Sequence, residues 1–166
     1  MGYLQDVQAG KDGERLVKEL FERHGISISK NTSSKRKDLL LWDLRAILPY
    51  GEIDLEVKSD LKERQTGNVA VEYFNTKKQA PSGIDATTAK LWVFVLIDPI
   101  TIWACSVSEL QNYIKKVKPL RDVSGGDDNS QMFLYKREQL FDDIFYRIDN
   151  ASDLSFQIII SKLAHK

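Results

Sequence analysis

The residues best placed to do chemistry are Glu56 and Lys58, in the stretch Gly51-Glu52-Ile53-Asp54-Leu55-Glu56-Val57-Lys58-Ser59-Asp60. Ile53, Leu55 and Val57 alternate with Glu52, Asp54, Glu56 and Lys58, the period-two pattern of a half-buried strand with one charged face. A carboxylate and an ammonium two residues apart on such a strand point to the same side. One can hold a divalent cation while the other handles a water or a phosphate oxygen. With an aspartate on a neighbouring strand, that is the equipment for metal-dependent phosphodiester cleavage.

Asp38 is the expected aspartate. A roughly symmetric hairpin centred near residue 47 would set it directly opposite Glu56, with Cβ atoms about 5 Å apart. Like charges at that range repel unless a cation lies between them. Mg²⁺, with Mn²⁺ as a substitute, suits a site of few carboxylates completed by water and substrate phosphate, and the backbone carbonyl of Val57 offers a further oxygen. A one-residue slip would send the two carboxylates to opposite faces. Glu14, at i−3 from Val17 and i−7 from Phe21, shares the inward stripe of the first helix, where a carboxylate wants a partner or a metal. Gly10 and Gly13 beside it allow close approach to a sheet or a phosphate. Glu72, in Val69-Ala70-Val71-Glu72-Tyr73, extends the acidic cluster. Lys58 would orient the attacking water or stabilise charge in the transition state, and a metal-activated water would be the nucleophile.

The elements that position these residues follow from pattern. Leu16, Val17, Leu20 and Phe21 predict a helix over 5–24, stopped at Gly25. A short strand follows at 26–29, then a polar basic loop over 30–37. Strands are expected at 38–44 and 52–58, joined by a seven-residue connection containing Pro49 and Gly51. A charged loop at 60–67 leads to a strand at 68–74 and an irregular stretch over 75–90. Leu91-Trp92-Val93-Phe94-Val95-Leu96-Ile97 reads as a central strand buried on both faces. Asp98-Pro99 turns the chain into a strand at 101–106. Ser108 is expected to cap a helix reaching about Lys118. A loop at 124–129, a strand at 131–136 and a helix at 136–147 follow; the C-terminal end fits strand or helix equally. This order predicts one α/β domain over residues 1–166, a mixed central β-sheet flanked by helices.

The 166 residues suffice for one such core, and 42% hydrophobic with 29% charged residues is ordinary for a globular protein. Lysine plus arginine equals aspartate plus glutamate at 24 each, which argues against binding nucleic acid by bulk charge alone. A local basic patch beside an acidic metal site would cancel in that sum. The single cysteine, Cys105, sits in an apolar run and reads as a buried thiol. Two histidines are too few and too far apart for a zinc site. Without an apolar signal region, or an apolar run near about 18 residues, a cytoplasmic protein without membrane contact is expected.

A helix glutamate, an aspartate, then Glu-x-Lys on the following strand resembles the PD-(D/E)XK nuclease superfamily, with order and spacings similar to archaeal Holliday junction resolvases and related phage nucleases. The resemblance covers residues 10–75 best; Ser82-Gly83-Ile84, Thr87-Thr88-Ala89 and Trp92 are similar to a segment of phage-type members. It implies a restriction-endonuclease-like fold and a Mg²⁺-dependent nuclease, an endonuclease on DNA, with branched or junction DNA as a candidate substrate. It implies that Asp38 and Glu56 bind the metal, that Lys58 assists catalysis, and that Glu14 is an auxiliary ligand. It also implies a homodimer and a prokaryotic or phage setting. Lys37 stands where the name-giving pattern has proline. The basic Lys35-Arg36-Lys37 at the lip of the site, Lys77-Lys78 and Ser82 are candidate nucleic-acid contacts. Two rival readings are a nucleic-acid-binding module of the same fold without turnover, and an unrelated α/β protein-interaction domain.

Overall fold

In the computed structural model, residues 3–32, 41–60, 63–97, 99–125 and 130–166 are described, with side chains of the first helix from Gln8 onward. Helix α1 spans Tyr3–Arg23. It stops where Gly25 takes φ +74°, with the Ile26 amide returning to the Phe21 carbonyl, the left-handed cap that glycine favours. Strands β1 (Ser27–Lys30), β2 (Leu44–Leu48) and β3 (Gly51–Asp60) form an antiparallel meander. A one-turn helix α2 (Glu63–Thr66) leads to β4 (Asn68–Asn75), the two-residue β5 (Ala80–Pro81) and a single 3-10 turn at Gly83–Asp85. Then come β6 (Leu91–Ile97), β7 (Ile100–Ser106), α3 (Val107–Lys116), β8 (Arg121–Gly125), β9 (Ser130–Lys136), α4 (Arg137–Ile144), β10 (Tyr146–Arg147) and α5 (Asp153–Ala164).

The central sheet runs β1-β2-β3-β6-β7-β10 and is mixed, because β3 and β6 are parallel while the other pairs are antiparallel. A second antiparallel sheet runs β5-β4-β9-β8. The crossover from β3 to β6 contains β4 and β5, so the second sheet is built partly inside that connection. Strand β6 explains the layering. Leu91, Val93 and Val95 enter one core with Val17 and Phe21 of α1 and Phe156 and Ile160 of α5. Trp92, Phe94 and Leu96 enter the other, with Val69 and Val71 of β4, Leu110 of α3 and Phe141 of α4. The result is an α/β domain with a mixed central sheet flanked by helices, as its alternating elements require. No helix among the described residues is long and apolar enough to cross a membrane.

Several boundaries correct the expectations from pattern. The hairpin is not centred near residue 47. Its pairs run from Leu44↔Leu55 to Leu48↔Gly51, around a two-residue Pro49-Tyr50 turn, so the strand expected at 38–44 begins at Leu44. Continued by one step, this register sets Asp43 opposite Glu56, and the Asp43 amide bonds the Leu55 carbonyl at 2.9 Å. Asp38, with Lys35, Arg36 and Lys37, lies outside the described residues. The cap of α3 is Ser106, which accepts the Glu109 amide at 3.2 Å. Strand β8 replaces the start of an expected loop, and the C-terminal element is helical.

Candidate active site

Glu56 and Lys58 leave β3 on the face opposite α1. Their partners in parallel register are Trp92 and Phe94 of β6, both fully buried in the second core. Glu56 is 6% exposed. Its Oε1 accepts Lys58 Nζ at 2.5 Å, and its Oε2 lies 3.3 Å from the Thr87 hydroxyl. Burial lifts the Glu56 carboxyl above its ordinary value; the facing Asp43 adds to this, and Lys58 and Thr87 offset part of it. Lys58 is one-third exposed and sits 5.5 Å over the Trp92 ring. Burial works against its charge, but Glu56, Asp43 and Glu72 outweigh burial and hold its pKa above the ordinary lysine value.

Asp43, which the sequence reading did not single out, faces Glu56. Its Oδ2 accepts the Val57 amide at 2.8 Å, which fixes the carboxylate against β3. The signal was present: Pro49-Tyr50-Gly51 is the turn, and counting outward from it pairs Asp43 with Glu56. The apolar run Leu39-Leu40-Leu41-Trp42 drew the expected strand too early. Val57 itself points its side chain into the first core, leaving only its backbone near the carboxylates.

Thr87 was also unassigned by residue-level reasoning. Its hydroxyl lies 2.8 Å from the Leu41 carbonyl oxygen and accepts the Ala89 amide at 3.1 Å. The Thr88 amide donates to the same Leu41 carbonyl. This strap ties the chain before β6 to the chain before β2, directly beside Glu56.

Asp43, Glu56 and Lys58 open onto a cavity of about 530 Å³ whose far wall is Glu72, Asn75 and Ser130 of the second sheet with Lys78, Ser82 and Gly83 of the turns beside β5. Glu72, Lys78 and Ser82 line this cavity, while Lys77 is exposed on the adjoining turn and does not. Glu14 does not line it either. It lies on α1, which packs on the first face, and its Oε2 is 2.5 Å from Lys30 Nζ. Gly13 does bring α1 close to β3, since a Cβ there would stand 2.0 Å from Ser59 Oγ; nothing approaches Gly10 in this way. Cys105 is fully buried, and burial pushes its thiol well above the ordinary value, so it is no nucleophile.

The donor set fits a hard divalent cation. Two carboxylates oppose each other across a ladder, with Asp43 raising the Glu56 carboxyl, the mutual repulsion a cation would relieve. Among the described residues no three acidic, histidine or cysteine side chains gather closely enough to share one ion, so the rest of a shell falls to backbone, water and phosphate oxygens. Glu72 lines the same cavity without joining that pair.

No protein-family model matches the chain, and no curated protein does. Among solved structures the chain is similar to a bacterial homing endonuclease, with a TM-score of 0.51 and 15% identity over 68% of this chain and 74% of that one. At that identity the likeness is one of fold.

Proposed function

We propose that this chain is a metal-dependent nuclease that hydrolyses phosphodiester bonds of DNA, acting as an endonuclease. The observation that carries this reading is the buried Glu56, hydrogen-bonded to Lys58 and opposed by Asp43 at the wall of a cavity. The fold likeness to a bacterial homing endonuclease, itself a nuclease, supports it.

Each residue then has a role. Asp43 and Glu56, with the Val57 carbonyl, would hold Mg²⁺, which supplies Lewis-acid polarisation of the phosphate and a more acidic water. Lys58 remains an ammonium at neutral pH because its contact with Glu56 and the charges of Asp43 and Glu72 outweigh the cost of burial. From there it orients the attacking water and offsets the charge that grows on the phosphoryl oxygens. Thr87, tied to the Leu41 carbonyl, places its hydroxyl 3.3 Å from Glu56 Oε2 beside that carboxylate. The alternation of β3 puts Lys58 on the cavity side of the sheet, with its Nζ 5.5 Å over the buried Trp92 ring. In this reading Asp43 is the metal-binding aspartate, Asp38 lies outside the described residues, and Glu14 stays with Lys30 outside this set.

The test is cleavage of labelled single strand, duplex, flap and four-way junction in Mg²⁺ or Mn²⁺, beside Glu56→Ala. Activity present in the wild type and lost in the variant supports the reading, and the preferred substrate states whether junctions are the target. Silence on every substrate with both metals would sink it and leave a binding module.

A further inference from the structure

The cavity is larger than the hydrolytic residues need, and its second wall has been built. Glu72 and Asn75 both line it although they are three residues apart on β4. In a regular strand residues three apart face opposite sides. Here the ladder skips from Glu72↔Met132 to Phe74↔Gln131, so Tyr73 is an inserted residue and the bulge turns both side chains into the cavity. Asn75 is 4% exposed and its Oδ1 is fixed by the Lys78 amide at 2.9 Å, which leaves its Nδ2 as a donor. Ser82 Oγ is buried there without a partner among the described residues. A buried hydroxyl without a partner is one that a turned side chain or a bound water would satisfy. Gly83, at φ +49°, lies so close that a Cβ would stand 2.2 Å from the Glu72 carbonyl oxygen, so this wall is fixed by backbone against backbone.

The chemistry of the wall selects its occupant. Asp43, Glu56 and Glu72 outnumber Lys58 and Lys78, so the interior does not favour a free anion. A planar heterocycle carrying N–H donors for Glu72 and an acceptor for Asn75 Nδ2 suits it, between apolar sides such as Leu41, Pro81 and Ala86. Lys78, exposed at the rim, suits the attached phosphate. A base paired and stacked in duplex cannot reach such a recess without leaving its helix.

We propose that this cavity is a nucleotide subsite that receives the unpaired base next to the scissile phosphate, so that the substrate class is DNA with an unpaired nucleotide at the cut. This rests on the hydrolase reading for the word scissile, but base binding can be measured without cleavage. The first measurement is the melting temperature of the intact protein in Mg²⁺ with millimolar deoxynucleoside 5′-monophosphates, against deoxyribose 5-phosphate. The nucleotides should raise it and the sugar phosphate should not. Asn75→Asp keeps the oxygen that the Lys78 amide needs and replaces the donor; Ala86→Leu fills the recess without touching a polar group. Each should erase the shift, and the second serves if the first fails to fold. The second measurement compares cleavage of a continuous duplex, the same duplex with a one-nucleotide bulge, and that bulge made abasic. The bulge should be cut at least about tenfold faster than either, an advantage worth about 1.4 kcal/mol. Nucleotide binding with no cleavage of any DNA supports the subsite while the hydrolase reading falls. Cleavage indifferent to the base, with no nucleotide shift, overturns the subsite and leaves the hydrolase standing.

Discussion

Asparagine in place of Asp43 keeps an oxygen that can accept the Val57 amide and removes the charge. Asp43→Asn should therefore fold with nearly unchanged stability while cleavage falls on the order of 100-fold or more. Asp43→Ala should add a stability loss of about 1–3 kcal/mol, because the Val57 amide is left without its acceptor. Equal stability of the two variants in urea would show that the bond to Val57 carries no weight. Glu56 has a different signature. Its folded pKa is raised above the ordinary 4.5, so its contribution favours folding below that value and is lost as pH rises through the raised one. Glu56→Gln removes this dependence and retains an oxygen for Lys58. The variant should gain stability relative to wild type as pH climbs from about 4 toward neutrality. A difference in melting temperature that stays flat over that range would argue that Glu56 is not held as a costly buried carboxylate.

Elements bring these residues together, and they differ in how openly the sequence announces them. Strand β6 was legible because seven consecutive apolar residues have few other uses, and α1 because its stripe ends at Gly25. Glu56 and Lys58 were legible from the alternation of β3. Asp43 was legible only by counting outward from the Pro49-Tyr50 turn, since strand register is decided between strands and by which residues reach the first core. Strand β8 is an edge strand whose exposed, polar residues carry no alternation, so nothing local marked it. Asn75 reaches the cavity only through a bulge, which has no periodic signal. Gly83 shows how much the second wall depends on such local geometry. Gly83→Ala puts a methyl against the Glu72 backbone and asks alanine for a positive φ, which should cost about 1–3 kcal/mol. Cleavage should fall with it, because the turn carries Ser82. A Gly83→Ala protein of wild-type stability would mean that the wall yields easily. The contact between α3 and α4 offers a pH test: burial and a bond to Asp143 push Tyr113 up to about 12. That stabilisation is complete below the ordinary 10 and is lost as pH rises from 10 through about 12. Tyr113→Phe should flatten the alkaline fall in melting temperature, and an identical fall in the variant would remove Tyr113 as its source.

At the scale of the whole molecule, one sheet separates two cores, and the candidate site lies where the second core opens toward the second sheet. Its carboxylates are therefore fixed by strands that also close the first core through Leu44, Leu55 and Val57. A ligand that bridges Asp43 and Glu56 ties two strands of the central sheet, and through them the entire fold. An ion bound by the folded chain and not by the unfolded one adds about 2.7 kcal/mol at a hundred times its dissociation constant. For a chain of this size that corresponds to a rise of roughly 5–11 °C in melting temperature. Mg²⁺ should produce such a rise in the wild type, saturating with concentration, and EDTA should reverse it. In Asp43→Asn the rise should shrink to whatever ionic strength alone gives, measured with Na⁺ at matched strength. Calcium offers a further arm, because its longer bonds and looser geometry let it occupy a two-carboxylate site without demanding the octahedron that Mg²⁺ prefers. Stabilisation of the same size in wild type and Asp43→Asn would place any cation elsewhere. The pair opposed across β2 and β3 would then be a strained like-charge contact relieved by Lys58 alone, and the nuclease reading would lose its metal.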